Sequence, residues 1–446
     1  MKRILQWVLF ILVSAGIILI LKQTFPKNSG ALNYFLIFLI LDAYLWQTTK
    51  KSISGASARV KLLLTLLYWI PLTLVIIGVI AGFFKTFAYW SVFSKSFLTS
   101  FVLMAYLSKL FPITFLLLSD LFLGSRILVR FVQKKQVQPV KQTSLLFRIG
   151  WIAGLICFGT LLSGMLFWEH HIKIRKQVVV LPELPPSFSE LKIVQISDLH
   201  LGTWMNKKHL RNAIDSIESL HPDLIFVTGD MVNYASAEAV PFLPDLKKLS
   251  SRYGIYVILG NHDYGDYMKW ENAQKKKENM DLLYSIYHSL GWKLLRNEHD
   301  LLRIGTDSIA ILGVENWGAT SRFQRLANLP VASRGIEDMP LKLLLSHDPS
   351  FWDSIVSKQY PDIDLTFSGH THGGQIGMES RLCRWSFAQI LARKWAGLYM
   401  ETHPDHRKQY LYINRGLGTI AYAGRIGIWS EITLVTLKRD STETSQ

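Results

Sequence analysis

Five apolar stretches crowd the first 168 residues: 4–22, 31–47, 62–84, 97–123 and 149–168. Each is close to the roughly 20 residues a helix needs to cross a bilayer. One such stretch alone reads as a buried core helix. Five in succession, almost free of acids, read as a multi-span, all-α membrane domain over residues 1–168. The first has the length of a signal peptide, but no small-residue cleavage site follows it and four more stretches do, so it is expected to be a retained span.

Charge divides the chain at the same place. Residues 1–176 hold 20 Lys and Arg against Asp42, Asp120 and Glu169, a net of +17, while the remainder holds 29 basic against 30 acidic residues. The +16 of the whole chain therefore belongs to the apolar half. The nearly neutral second half argues against a nucleic-acid partner. Cys157 and Cys383 are too few for a disulfide framework or a cysteine zinc site.

Basic residues also set an orientation. The segments 48–61, with Lys50, Lys51, Arg59 and Lys61, and 124–148, with Arg126, Arg130, Lys134, Lys135, Lys141 and Arg148, are expected on the cytoplasmic side of the plasma membrane, together with Lys2 and Arg3. Five crossings then place everything after Trp168 outside the cytoplasm. Lys109 and Asp120, inside the fourth stretch, mark either a functional polar site in the bundle or a lysine that snorkels or is paired internally.

Residues 169–190 are expected as a linker, with a short strand at Val178–Val180 and the proline-rich punctuation Leu181-Pro-Glu-Leu-Pro-Pro186. The pair His170–His171 lies at the membrane edge, where an interfacial role outweighs metal ligation. A domain follows over 191–440, then a polar tail, 441–446. In that domain, short Val- and Ile-rich runs (Leu191–Ser197, Asp223–Thr228, Ile255–Gly260, 308–314, 341–346, 363–368, 410–414, 431–437) alternate with amphipathic stretches at 207–220, 238–250 and 275–290. The alternation predicts an α/β fold with buried strands.

Polar residues gather where those strands end. The ends read Ser197-Asp198-Leu199-His200, Gly229-Asp230, Gly260-Asn261-His262-Asp263, Ser346-His347-Asp348-Pro349 and Ser368-Gly369-His370-Thr371-His372-Gly373-Gly374-Gln375. Sites in open α/β sheets form at carboxyl ends of strands, so the five pieces can converge. Asp-x-His and His-x-His place two donors on one side of an extended segment. Carboxylate oxygen with imidazole nitrogen suits Mn, Fe or Zn better than Ca, and the set has the composition of a two-metal site. Gly229, Gly260 and Gly369 allow sharp turns beside these donors. Each piece alone is weak; five in this order are specific.

The strings resemble the calcineurin-like metallophosphoesterase superfamily, and Gly-Asn-His-Asp-Tyr, Leu-Ser-His-Asp-Pro, Gly-His-Thr-His-Gly-Gly-Gln and Asn414-Arg-Gly-Leu-Gly-Thr419 resemble its bacterial membrane-associated YkuE/YaeI-like branch. The resemblance covers roughly residues 191–438. It implies a β-sandwich flanked by helices (α/β/β/α) and two divalent metal ions. Asp198, His200, Asp230 and His372 would hold one ion. Asp230, Asn261, His347 and His370 would hold the other, with Asp230 bridging. His262 would contact the phosphate and protonate the leaving group. Two positions depart from the pattern: Asn233 replaces an acid that steadies the catalytic histidine in many members, and Trp429-Ser430-Glu431 replaces a Pro-Glu pair.

The implied activity is hydrolysis of phosphodiesters or phosphomonoesters by a metal-activated water, with lipid headgroups suggested by the tether alone. A nucleotide-sugar-lipid pyrophosphatase, which needs cytoplasmic access, and a non-enzymatic sensor or transporter of a phosphorylated ligand are the competing expectations. Oligomeric state is not encoded in these features.

Overall fold

The structure, a computed structural model, describes residues 12–16, 19, 29–83, 90–133, 144–168, 171–204, 206–318, 324–380, 382–390 and 392–439. It divides into two units, Met1–Ser163 and Gly164–Gln446.

The first unit contains the helices α1 (Ser29–Ser52), α2 (Ala58–Phe83), α3 (Val92–Val132) and α4 (Ser144–Ser163). Among the described residues, the helices Ala58–Ala81, Ser94–Val132 and Leu145–Trp168 are long and apolar enough to cross a membrane. Most of the expected span 4–22, with Lys2, Arg3, Lys134, Lys135 and Lys141, lies outside the described residues, as do His170 and the tail 441–446. The helix α3 runs 41 residues through Pro112, about 60 Å at 1.5 Å per residue, or twice the hydrocarbon thickness of a bilayer. Arg126 and Arg130, expected in a loop, therefore sit on its last turns.

Small residues and an ion pair hold this unit together. A Cβ on Gly150 would meet Pro112 Cα at 2.7 Å, and one on Gly154 would meet the Ser108 carbonyl oxygen at 2.6 Å. These glycines, one turn apart, let α3 and α4 approach backbone to backbone. Lys109 Nζ lies 2.6 Å from Asp42 Oδ1 and donates to the Tyr68 carbonyl oxygen at 3.0 Å. The Tyr106 hydroxyl donates to Asp42 Oδ2 and the Tyr44 hydroxyl to Asp120 Oδ2, each at 2.7 Å. The lysine is thus paired internally.

The second unit contains the strands β1 (Ile172–Leu181), β2 (Lys192–Ile196), β3 (Leu224–Thr228), β4 (Ile255–Ile258), β5 (Lys293–Leu294), β6 (Glu298–Ile304), β7 (Asp307–Gly313), β8 (Lys342–Leu345), β9 (Leu365–Ser368), β10 (Gly377–Glu379), β11 (Arg384–Ser386), β12 (Gly397–Thr402), β13 (Lys408–Ile413) and β14 (Ser430–Arg439). They form two six-stranded sheets, ordered β1-β14-β2-β3-β4-β5 and β12-β13-β9-β8-β7-β6, and the hairpin β10–β11.

Strict alternation of side chains builds the layers. Ile193, Leu224, Phe226 and Val435 of one sheet meet Ile309, Leu343, Leu365 and Phe367 of the other in a shared core. The opposite faces, through Val194, Ile225 and Val227 on one side and Leu312 and Leu344 on the other, pack against helical segments that include Ile214, Ile217, Leu283, Phe351 and Trp352. The result is the expected helix–sheet–sheet–helix sandwich.

Two expectations are corrected. The segment 169–190 is not merely a linker, because Ile172–Leu181 is a ten-residue strand paired in parallel with β14. Its alternating exposure left only the more apolar Val178–Val180 visible in the sequence. The helix expected over 238–250 is broken into the short turns Ser236–Glu238, Val240–Phe242 and Leu243–Leu246. Pro241 and Pro244 remove the amide donors a continuous helix would need. The helices Lys207–Glu218 and Ala273–Leu290 lie where the periodicity places them.

Candidate metal centre

Each of the five polar pieces leaves a strand at its carboxyl end and turns at once. Non-glycine residues rarely take positive φ, yet Asp198 (50°), His200 (44°), Asp230 (54°), His370 (71°) and His372 (49°) all do. Backbone strain of this kind is held only where the surroundings over-determine it. Here cross-loop hydrogen bonds supply that hold: Asp198 N donates to the Gly229 carbonyl oxygen at 2.9 Å, Gly369 N to that of His347 at 3.0 Å, and Leu417 N to that of Ser197 at 2.9 Å. Gly229 has φ +92°, and a Cβ there would stand 2.7 Å from His347 Nδ1, so no other residue fits.

The side chains converge. Asp198, His200 and His372 form one group of mutually close donor atoms, His200, Asp230 and His262 a second, and Asp230, His347 and His370 a third. Asp230 Oδ2 lies 3.6 Å from His200 Nε2 and 3.2 Å from His347 Nε2. His372 Nε2 lies 3.3 Å from Asp198 Oδ1 and 3.1 Å from His200 Nε2. His347 Nε2 is 3.2 Å from both His370 Nδ1 and Asn261 Oδ1. All are buried except His370, which is half-buried.

The chemistry of this donor set fits divalent cations. Burial pushes His200 down to about 3 and holds His372 well below its ordinary value, with the neighbouring imidazoles adding to both shifts. Both rings are therefore neutral, with lone pairs to give. Burial raises the Asp230 carboxyl, but the imidazoles of His347 and His262 outweigh it and hold it well below the usual range. Buried acids surrounded by facing nitrogen lone pairs call for positive charge at their centre.

His262 is oriented by backbone. Its amide donates to Asp230 Oδ1 at 2.8 Å, and its Nδ1 lies 2.8 Å from the Asn233 carbonyl oxygen. The position where an acid was missing thus serves through its main chain. Tyr267 stacks on the ring, and its hydroxyl accepts from Asn261 Nδ2 at 2.9 Å.

Several contributors escaped the sequence reading. Asp263 accepts from the backbone amides of Asp230 (2.9 Å), Gly260 (2.8 Å), Met231 (2.9 Å) and Val232 (3.3 Å), tying two of the converging loops together. A short acid among glycines at a strand end is the signal, since such residues bond nearby backbone. Fully buried Arg425 donates to the carbonyl oxygens of His372 (3.3 Å), Arg415 (2.8 Å) and Gly418 (2.7 Å). Nothing in its sequence context marks it. Gln375 donates to the Tyr422 and Gly424 carbonyl oxygens at 2.6 and 2.9 Å. Glu431 is buried and accepts from the Tyr412 hydroxyl at 2.7 Å and from Arg415. Among the described residues, His171 joins no metal-capable group, and its ring lies 5.3 Å from that of Trp429.

Residues 191–374, which bear all the candidate metal donors from Asp198 to His372, match the family described as calcineurin-like phosphoesterase. An uncharacterized metallophosphoesterase of Bacillus subtilis (strain 168), YkuE, is 30% identical over 280 residues, covering 60% of this chain and 86% of that one. The chain belongs to the calcineurin-like phosphoesterase family. Its residues 28–167 match the description "Probable Calcineurin-like phosphoesterase, transmembrane domain". This calcineurin-like enzyme is therefore a metallophosphoesterase with a transmembrane domain. The transmembrane protein with metallophosphoesterase domain of Danio rerio is 27% identical over 270 residues, and the chain spans only 55% of its length. The UDP-2,3-diacylglucosamine pyrophosphatase LpxG of Chlamydia muridarum (strain MoPn / Nigg) is 28% identical over 304 residues, covering 56% of this chain and 86% of that one.

Proposed function

We propose that the protein hydrolyses phosphodiesters or phosphomonoesters with two divalent ions of the Mn, Fe or Zn kind. Asp198, His200, Asp230 and His372 hold one, and Asp230, Asn261, His347 and His370 the other. The observation that carries this reading is the Asp230 carboxylate within reach of both His200 and His347, the arrangement a shared ligand needs. Such ions, when bound, lower the pKa of a coordinated water towards about 7 and neutralise phosphoryl oxygens.

The protein's own groups do the rest. The Asn233 carbonyl can only accept, so His262 Nδ1 carries a proton and Nε2 faces the reaction. From the imidazolium form, Nε2 donates to the developing charge and passes its proton to the leaving alkoxide. The domain is assigned to the outer side of the plasma membrane, from the basic segments 48–61 and 124–148. Reporters fused after Gln446, one active only in the cytoplasm and one only outside, test that side; a cytoplasmic signal alone overturns it.

The deciding experiment is a panel of phosphomonoesters, phosphodiesters and lipid pyrophosphates given to the full chain with and without Mn. Manganese-dependent release from an ester is expected. Release from a nucleotide-sugar-lipid pyrophosphate alone would favour the second reading, to which the similarity to LpxG lends weight. Tight binding of a phosphorylated ligand with no release would identify a sensor.

A further inference from the structure

The β10–β11 hairpin, with the helical turn Phe387–Ile390 that ends it, follows the His370-Thr371-His372 loop, and its side chains are the wrong ones for a solvated turn. Leu382 is 100% exposed, Ile390 74%, Phe387 49% and Trp385 43%. The Trp385 and Phe387 rings lie 4.8 Å apart, edge to face. Four exposed large apolar side chains within nine residues, two of them in ring contact, mark an interaction surface. Tryptophan and phenylalanine beside arginine suit the boundary between water and lipid.

The hairpin residues Glu379 and Arg384 line a hollow of about 610 Å³ together with Lys173, Arg175, Lys176 and Arg415. Five cations line it with one carboxylate, and Glu431 engages two of them, Arg175 and Arg415. Glu379 is already engaged by Arg175, by Arg415 at 2.5 Å and by Arg384 at 3.5 Å. Lys173 and Lys176 are exposed and have no acidic partner among the described residues. The hollow is built to receive negative charge.

The chain supplies continuity with the bilayer. The last span ends at Trp168, and β1, which contributes Lys173, Arg175 and Lys176, starts at Ile172. The Trp168 ring lies 5.4 Å from that of Trp429, and Arg425 N donates to the Gly164 carbonyl oxygen at 3.3 Å. The same loop holds the hairpin, because Gly377 N donates to the Ile426 carbonyl oxygen at 2.9 Å. On its other side the hairpin is tied to the metal centre: Ser386 donates to the Gly373 carbonyl, and the Thr371 hydroxyl to that of Trp395 at 2.7 Å.

We infer that the hairpin immerses Leu382, Trp385, Phe387 and Ile390 in the chain's own membrane, and that the cationic hollow takes the anionic headgroups of that surface. Resting on the phosphoesterase reading, this makes the substrate an amphiphilic phosphate ester that stays in the bilayer while its headgroup is cleaved.

Cys383 stands at the hairpin and is exposed, so it can report directly. The full chain carrying Cys157→Ser is labelled there with nitrobenzoxadiazole and placed in nanodiscs of phosphatidylcholine, with or without phosphatidylglycerol. Emission should shift to the blue and be quenched by lipid-borne doxyl groups. Quenching should be about fivefold stronger in the anionic discs, the worth of one basic side chain at such a surface. Leu382→Ser/Ile390→Ser, at positions too exposed to carry the fold, should abolish it. Quenching by aqueous iodide alone, equal quenching in both discs, or shielding that appears only when a protein extract is added would each overturn the proposal. The same discs are assayed on a water-soluble aryl phosphodiester and a water-soluble aryl phosphomonoester with Mn. No hydrolysis with a lipid-buried probe sinks the phosphoesterase reading and leaves the surface standing; hydrolysis with a probe in water sinks the surface alone.

Discussion

The ring of Tyr267 lies flat on the imidazole of His262, with centroids 4.0 Å apart and planes 7° from parallel. Through its hydroxyl, the same tyrosine fixes the Asn261 amide so that Oδ1 faces His347. One side chain thus orients both a proposed ligand and the proposed acid. Tyr267→Phe keeps the stack and frees the amide. It should weaken binding at the Asn261 side about 10–100-fold, the usual loss for an outer hydrogen bond to a ligand. Titration of metal content by mass spectrometry checks this, and an unchanged affinity would deny Tyr267 that role.

Asp230→Asn should abolish turnover while leaving the fold intact. A neutral amide cannot serve two cations as a carboxylate does, so both ions should be lost or weakened. Circular dichroism and metal analysis on the purified variant decide it: full metal content with near-normal turnover would mean that the ligands are misassigned.

His262→Ala should retain both metals and slow the reaction by roughly 10²–10⁴, the range for a lost general acid. The loss should be smaller for an aryl ester than for an alkyl ester, because aryloxide leaves without a proton. Equal losses would leave His262 as an electrostatic contact, and missing metal would make it a ligand.

Lys109→Met should destabilise the helical unit by about 3–5 kcal/mol, because it leaves the buried Asp42 carboxylate with the Tyr106 hydroxyl but no counter-charge. Asp42→Asn combined with Lys109→Met should recover much of that loss. Thermal unfolding in detergent reads both. A double variant no better than the single one would show that the pair carries more than its own mutual neutralisation.

The strand ends were legible because their chemistry is local: Asp-x-His, Gly-Asn-His-Asp and Gly-His-Thr-His each state donors and turn within four residues. Sheet order was not, since β14 pairs with β1 and β2 across more than two hundred residues. The hydrophobic runs placed β2, β3 and β4 within a residue or two. β1 was largely hidden because Lys173, Arg175 and Lys176 interrupt its apolar face. The left-handed backbone of Asp198, His200, Asp230, His370 and His372 is invisible to pattern reading, which assigns such backbone to glycine. Arg425 and Asp263 act on main-chain groups of distant loops, and a single sequence gives no sign of those partners.

β14 lies between β1 and β2, and its Glu431 receives Arg415 and Tyr412. During synthesis, every ligand from Asp198 to His372 is made before the strand that joins the two sides of its sheet. A nascent chain can thread its helices into the bilayer and expose all seven donors while β1 still lacks its neighbour. Closure of this sheet therefore waits on a strand that follows every proposed ligand along the chain, so a fragment ending after His372 would hold all seven donors without the strand that joins β1 to β2.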